Sequence, residues 1–373
     1  MTILDTVDFS VNDFLRFPAV LCGLHKLTTL KFSANDIAVV PPEIGALVSL
    51  TRLELQFNKL ESIPEEIARL PNLNFLNISK NRLKSVPTAF GGMANLRELH
   101  LSDNRIKSLP PRMSGLKSLM KLHAHNNLLE SFPEDIAGMV SLTELDLGHN
   151  HDLKSLPSTL GQLPQLKRLM IDDCSIADLP CLPAGLTEIE ISKNTLCNIS
   201  IEPTKCKDMT ALTLNKNKIT SLPLTFSELG QLRFFEAAFN PLAMIPNEYG
   251  SLVNLMKLNL SFTQLTYVPP SLGQLKNLQY LYLAYNRLTD LPMELKGLHL
   301  LQQLHIGGNN LTRIPPVVSC ITSLKCLMLA NNALAPLPTD LASLNKLETL
   351  DLGCNQLVEC NVLQRIPTLT DLT

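Results

Sequence analysis

A chain of 373 residues with 45% apolar and 18% charged residues has ample material for a continuous core, which argues against global disorder. Its formal charge of −2 and pI of about 6.5 give no electrostatic reason to expect nucleic acid or an anionic membrane surface as partner. No stretch reaches the ~18 apolar residues of a membrane span.

The opening MTILDTVDFS carries no basic region and no apolar run, because Asp5 and Asp8 interrupt it, so no secretory signal is expected. Nine cysteines, scattered without paired spacing from Cys22 to Cys360, read as thiols of a reducing compartment. Together these features predict a cytoplasmic protein.

Self-similarity sets the architecture. Residues 50–72, LTRLELQFNKLESIPEEIARLPN, follow the pattern L-x-x-L-x-L-x-x-N-x-L-x-x-[ILV]-P-x-x-[IL]-x-x-L-x-x. Sixteen repeats of this kind begin at Leu4, Leu27, Leu50, Leu73, Leu96, Leu119, Leu142, Leu166, Leu186, Met209, Leu232, Leu255, Leu278, Leu301, Leu324 and Leu347. Asn holds the ninth position in fourteen of them, Cys174 and Thr263 being the exceptions. The alternation in LTRLELQ is that of a half-buried strand, with Leu53 and Leu55 inward and Arg52, Glu54 and Gln56 outward. The Pro at position 15 predicts a short 3-10 or α turn on the return rather than a long helix. One repeat cannot bury its own apolar face, so neighbours must stack.

This pattern resembles the leucine-rich repeat over nearly the whole chain. The resemblance implies one domain, residues 1–373: a right-handed α/β solenoid, or horseshoe, with a single parallel sheet on its concave side. Positions 2, 3, 5, 7 and 8 of each repeat are then expected to face solvent. The form LPxxIGxL, as in VPPEIGAL (40–47) and LPSTLGQL (156–163), is similar to the intracellular Ras-group subclass. That subclass implies a non-catalytic scaffold in signal transduction, with a globular protein on the concave face: a Ras-type small GTPase or, less expected, a protein phosphatase. The [RK]-x-[VI]-x-F docking motif of phosphatase partners is not found in the chain, and no tail precedes the first repeat to hold one.

In chain order, the first repeat starts at Leu4 without room for a cap, so its edge is expected to be covered by Asp5, Thr6 and Asp8 or by a partner. Phe57 and Phe75 follow as a small aromatic pair. Next comes a histidine constellation. His100, His123 and Asp146 occupy position 5 of three consecutive repeats, with His125 and His149 at positions 7 and 8 beside them. Imidazoles in equal positions could share a divalent ion with Asp146, which would make a metal-dependent enzyme the remote alternative. Ordinary exposed polar residues, or a recognition surface that weakens on acidification, explain them with less. No metal ligand and no cofactor is assigned.

Residues 142–208 are irregular. The repeat at Leu142 gains a residue in GHNHDLKSLP, the repeat at Leu166 has 20 residues, and the next loses its Leu-Pro pair in LCNISIEPTKCKDM. The 20-residue form is similar to repeats of some secreted bacterial effectors, which gives the alternative function: a recognition module of an exported effector or an immune-type sensor. Looser loops are expected here.

Three of the five tyrosines fall in LQYLYLAYN, residues 278–286. Tyr280, Tyr282 and Tyr285 take positions 3, 5 and 8. Phe234 and Phe239 take positions 3 and 8 of the repeat at Leu232, and Phe262 takes position 8 of the repeat at Leu255. With strands ~4.8 Å apart, six rings are expected to merge into one concave patch. Such patches mark interaction sites, although rings can also cover one another in a ladder. Cys326 and Cys354 are expected on the same face, whereas Cys174, Cys206 and Cys360 are expected in the core or the Asn row. The tail after Asn355 is expected to cover the last coil through Cys360, Ile366 and Leu369. GxSxG, HExxH and P-loop motifs are not found, so no catalytic residue is assigned and the chain is not expected to be an enzyme.

Overall fold

The computed structural model describes residues 4–373. The chain forms two compact units, one ending at Leu186 and the other spanning Thr187–Thr373. In the first unit eight strands pair in parallel in chain order: β1 (Thr6–Asp8), β2 (Thr29–Lys31), β3 (Arg52–Glu54), β4 (Phe75–Asn77), β5 (Glu98–His100), β6 (Lys121–His123), β7 (Glu144–Asp146) and β8 (Arg168–Met170). In the second unit β9 (Glu188–Glu190), β10 (Ala211–Thr213), β11 (Phe234–Glu236), β12 (Lys257–Asn259), β13 (Tyr280–Tyr282), β14 (Gln303–His305), β15 (Cys326–Met328), β16 (Thr349–Asp351) and β17 (Asp371–Leu372) do the same.

β1 to β16 occupy positions 3–5 of their repeats, as the period-2 pattern predicts. The central residue, such as Leu53 or Leu281, is buried; its neighbours, which point to the opposite face, are half-buried in most strands. Register is thereby set. A slip of one residue would drive the leucines of a strand into water.

Short 3-10 turns follow the prolines, as at Glu65–Arg69 after Pro64 and Met293–Gly297 after Pro292, and one α turn spans Pro316–Cys320. The glycine of the LPxxIG motif has a packing reason. A Cβ on Gly91 would collide with the carbonyl of Arg112, and one on Gly273 with that of Glu294, so glycine lets successive turns close up.

The ninth-position asparagines hold the coils together. Asn58 Nδ2 donates to the Phe32 carbonyl in the preceding coil (2.8 Å) and to the Leu55 carbonyl in its own (3.0 Å), while its Oδ1 accepts from Ile37 N–H (3.0 Å). The same bonds recur at Asn81, Asn104, Asn127, Asn217, Asn240 and Asn309. The residue before each ninth position lies in the left-handed region: among the described residues, fifteen non-glycine residues do so at φ between +52° and +58°, two of them, Asp173 and Phe262, before Cys174 and Thr263, and Gly308 does so at +66°. That conformation costs about 1–2 kcal/mol without a Cβ-free residue. A hydrogen bond to the next coil helps to hold it, as from Phe57 N–H to Ser79 O (3.1 Å).

The two exceptions share one adjustment. Where Cys174 and Thr263 replace Asn, the amide of the preceding coil bonds its own asparagine's carbonyl instead: Leu153 N–H to Asn150 O (3.0 Å) and Leu242 N–H to Asn240 O (2.8 Å). The added residue after Asn150 and Pro241 after Asn240 accompany these tighter turns.

Several expectations need correction. Position 7 does not face solvent throughout, because Ser102, Ala238 and Ser261 are buried against the adjacent coil. Leu4 is exposed, and a cluster of Phe9, Phe14, Phe17 and Phe32, with centroids 5.1–5.5 Å apart, closes that end beneath the polar edge. Cys360 is exposed; Leu363 and Ile366 are the buried anchors of the tail, which adds the unforeseen strand β17. Cys174 and Cys206 are buried as expected, and burial pushes the Cys174 thiol up to about 11.

Replacing Asn127 by Ala orphans the Ile106 amide and removes one of two Asn donors from each of the Leu101 and Ala124 carbonyls, which keep Asn104 and Asn150, and should cost about 2–4 kcal/mol in urea unfolding. Thr263→Ala removes one hydroxyl whose single proton is shared between Leu260 O and Asn286 Oδ1, and should cost roughly 1 kcal/mol. Equal losses would show that the ladder does not carry this load.

Candidate functional site

The aromatic residues of the second unit fall into three sets. Position 8 turns its side chain out of the strand edge, and the left-handed backbone repeats identically, so the rings at this position stand in a row. Phe239 and Phe262 stack with centroids 4.1 Å apart and planes 9° apart; Phe262 and Tyr285 stack at 4.3 Å and 14°. Lys216 Nζ lies 5.3 Å from the Phe239 centroid at one end. At the other end the Tyr285 ring lies flat against Gly308, where a Cβ would come within 2.6–2.9 Å of ring carbons. Gly308 therefore makes room for the last ring.

The second set lies on the strands. Tyr280 and Tyr282 are 6.4 Å apart, and Tyr282 stacks on His305 at 4.4 Å while its hydroxyl donates to Gln303 Oε1 (2.7 Å). Lys257 Nζ sits 5.6 Å from the Tyr282 centroid and pairs with Glu236, which also accepts from Asn215. Burial alone would raise the Glu236 carboxyl, but Lys257 and Asn215 hold it below the ordinary range. Burial raises the Tyr282 hydroxyl. Phe234 forms the third set, 42% exposed and without a ring partner among the described residues.

No ring contact joins these sets among the described residues, so the six rings share a face without forming one stack. Phe239, Phe262 and Tyr285 remain 40–47% exposed despite stacking, and Tyr280 and Tyr282 are half-buried. Beneath them the core is aromatic too: Phe235 packs on Phe226 and Tyr249, and Tyr249 donates to Pro223 O (2.9 Å).

In the first unit the histidines meet carboxylates rather than one another's lone pairs. His100 Nε2 is 3.3 Å from Glu98, His123 Nε2 is 2.9 Å from Glu144, His125 Nδ1 is 2.7 Å from Asp146, and His149 Nδ1 is 3.0 Å from Asp173. His100 and His123 touch edge to face at 4.7 Å. His100, His123 and Asp146 do not converge on a common point: each has a different partner, and no group of three His, Cys, Asp or Glu suited to a metal occurs among the described residues. Phe57 and Phe75 also separate, Phe57 beneath Lys80 and Phe75 stacked by the Arg52 guanidinium at 3.5 Å. Sequence reasoning missed His151, 3.8 Å from Asp173, and the pairing of His305 with Cys326, whose Sγ lies 3.8 Å from Nε2. The signal for the latter was equal facing on neighbouring strands. Cys326 is half-buried rather than exposed, while Cys354 is exposed.

The hydrogen bond that His125 donates to the Asp146 carboxylate raises His125, with burial opposing, whereas burial and then His123 lower His100. For His125 the stabilisation is full below its unfolded value, ~6.5, and is lost as pH rises through its raised folded value. For Asp146, whose carboxyl is depressed by His125 and Gly148 N–H despite burial, it is full above ~3.9 and lost on acidification through the folded value. The pair thus contributes most between about pH 4 and 6.5. Histidine NMR titration should place His125 above ~6.5 and His100 below it; the reverse order would contradict these contacts. Separately, Leu281→Ala should cost about 2–5 kcal/mol by opening a cavity, and Tyr282→Ala roughly 1 kcal/mol. Similar losses in thermal unfolding would mean the ring is structural.

A family model described as a leucine-rich repeat region matches residues 65–177 and 264–373. Comparison with curated proteins gives no match. The structure is similar to that of a leucine-rich-repeat protein of Leptospira interrogans, at 31% identity and TM-score 0.82 over 99% of this chain and 91% of that one. It is also similar to the plant peptide hormone receptor RGFR1, solved with RGF2 (23%, 0.76, 99% and 70%), and to YopM from Yersinia enterocolitica (23%, 0.60, 98% and 83%). At these last identities the likeness shows the fold alone. No helix among the described residues is long and apolar enough to cross a membrane.

Proposed function

The chain belongs to the leucine-rich repeat family, and from that premise we propose that it is a non-catalytic scaffold that holds a globular signalling protein against the sheet face of its second unit. The observation that carries this reading is the exposure of Phe234, Phe239, Phe262 and Tyr285, each at 40–47%, beside the half-buried Tyr280 and Tyr282. Stacking uses the faces of the position-8 rings and leaves their edges in water, so a partner gains apolar area from groups that are already rigid. Little side-chain entropy is lost on binding. Lys216, and the Lys257–Glu236 pair beside Tyr282, supply the polar rim such an interface needs.

The resemblance to the Ras-group subclass makes a Ras-type small GTPase the partner class of first choice, ahead of a protein phosphatase. The same resemblance supports a cytoplasmic location. The histidine row of the first unit, His100, His123, His125, Asp146 and His149, is a secondary contact surface, polar and already internally paired.

Affinity purification from native cells should compare the wild-type chain with a Phe262→Ala/Tyr280→Ala/Tyr282→Ala variant shown to be folded by circular dichroism. Buried aromatic anchors contribute about 2 kcal/mol each, so the variant should lose its partner. A partner list unchanged by the three substitutions would sink the reading, and sensitivity to His100→Ala/His123→Ala instead would move the site to the first unit.

A further inference from the structure

At one place on the second unit, a nitrogen and a sulfur donor meet on the sheet face. His305 on β14 and Cys326 on β15 lie on the exposed face of the sheet, with Nε2 and Sγ 3.8 Å apart. That is long for a hydrogen bond. It is close to the ~3.6 Å expected of an imidazole nitrogen and a thiolate sulfur bound to one ion, with bonds of ~2.0 and ~2.3 Å at open angles. Met328 is the Cα partner of His305 in the ladder, and it lies two residues after Cys326, on the same face of β15.

The surroundings prepare these groups for binding. Tyr282 stacks on the His305 ring at 4.4 Å and limits its rotation. The other histidines of the sheet face pair with Glu or Asp, whereas the polar partner of the His305 ring is the Cys326 thiol. Asp351, the register partner of Met328, is engaged by the Gly353 amide (3.0 Å). The donors on this face are thus the His305 nitrogen and the Cys326 sulfur, with the thioether of Met328 on the neighbouring register position of the same strand face. Thiolate and thioether ligands select a soft cation such as Cu(I) over Zn(II), Mg(II) or Ca(II).

We propose that His305, Cys326 and Met328 form a three-coordinate site for a soft monovalent cation, Cu(I), on the sheet face of the second unit. Binding exchanges the Cys326 S–H proton for the ion: one Cu(I) enters, one proton leaves to solvent, and no electron is transferred. The site lies against Tyr282, but it does not depend on the partner reading, since the ion and its ligands belong to this chain.

The test is an anaerobic titration of the tag-free full chain with Cu(I) in competition with bathocuproine disulfonate. Four proteins are needed: wild type, Cys326→Ser, Met328→Leu, and a chain in which the exposed Cys181, Cys197, Cys320, Cys354 and Cys360 are all serine. Circular dichroism confirms that each is folded. One tight equivalent should bind to the wild type and to the five-serine chain, weaken at least 100-fold in Cys326→Ser, and weaken about tenfold in Met328→Leu. The Met328 methyl and His305 ring signals should shift in NMR on binding. Unchanged affinity in Cys326→Ser, loss of the tight equivalent in the five-serine chain, or binding without those two shifts would each overturn the site and leave adventitious thiol binding.

Discussion

A buried carboxamide that bonds two coils at once is the constraint on which the rest of this protein depends. The backbone leaves its strand at position 8 and must turn inward, exposing amides and carbonyls that neither the sheet nor water can satisfy. An asparagine has both a donor and an acceptor at the end of a short side chain, so it closes the turn of its own coil and ties it to the one before. Asp could not donate, and Gln would overreach. Where Cys174 and Thr263 stand instead, the preceding turn folds onto itself, which shows that the amide must be satisfied and that the means can vary.

The same turn fixes what the surface can be. Because each position-8 residue adopts the same left-handed conformation, side chains there repeat in direction from coil to coil. Aromatic residues at Phe239, Phe262 and Tyr285 then have little choice but to stack, and a glycine at 308 leaves room for the last of them. A flexible loop bearing the same three residues would hold no such row. Rigidity comes from the ladder below, and surface chemistry comes from whatever residue occupies the free positions above it.

Architecture was legible in the sequence because it rests on periodicity: the leucines, the Asn row and the Pro turns recur often enough that each copy corroborates the others. What stayed hidden depends on single contacts. That Ser102, Ala238 and Ser261 are buried at position 7 follows from how closely the adjacent coil approaches, and a repeat pattern does not encode that distance. Six outward aromatics could be read from alternation, yet their division into a stack of three, a Tyr–Tyr–His set and a lone Phe234 depends on the difference between strand and turn positions. The pairing of each histidine with a carboxylate was missed for a related reason. Partners such as Glu98 and Glu144 sit at position 3, and a shared sheet face, along one strand for Glu98 and His100 and across two for Glu144 and His123, brought them together.

The two units, each taken by itself, illustrate opposite uses of one scaffold. In the first, the sheet face carries groups whose charges answer one another: Glu98 with His100, Glu144 with His123, Asp146 with His125. Such a face is already satisfied, and a partner would have to replace interactions that exist, so its net gain is small. In the second, ring edges remain in water with nothing of their own chain to cover them, and every square ångström a partner covers is gained at about 25 cal/mol. Identical backbone geometry thus leaves one face internally compensated and the other open. That difference in what has already been satisfied is the physical ground for proposing a docking surface on the aromatic face.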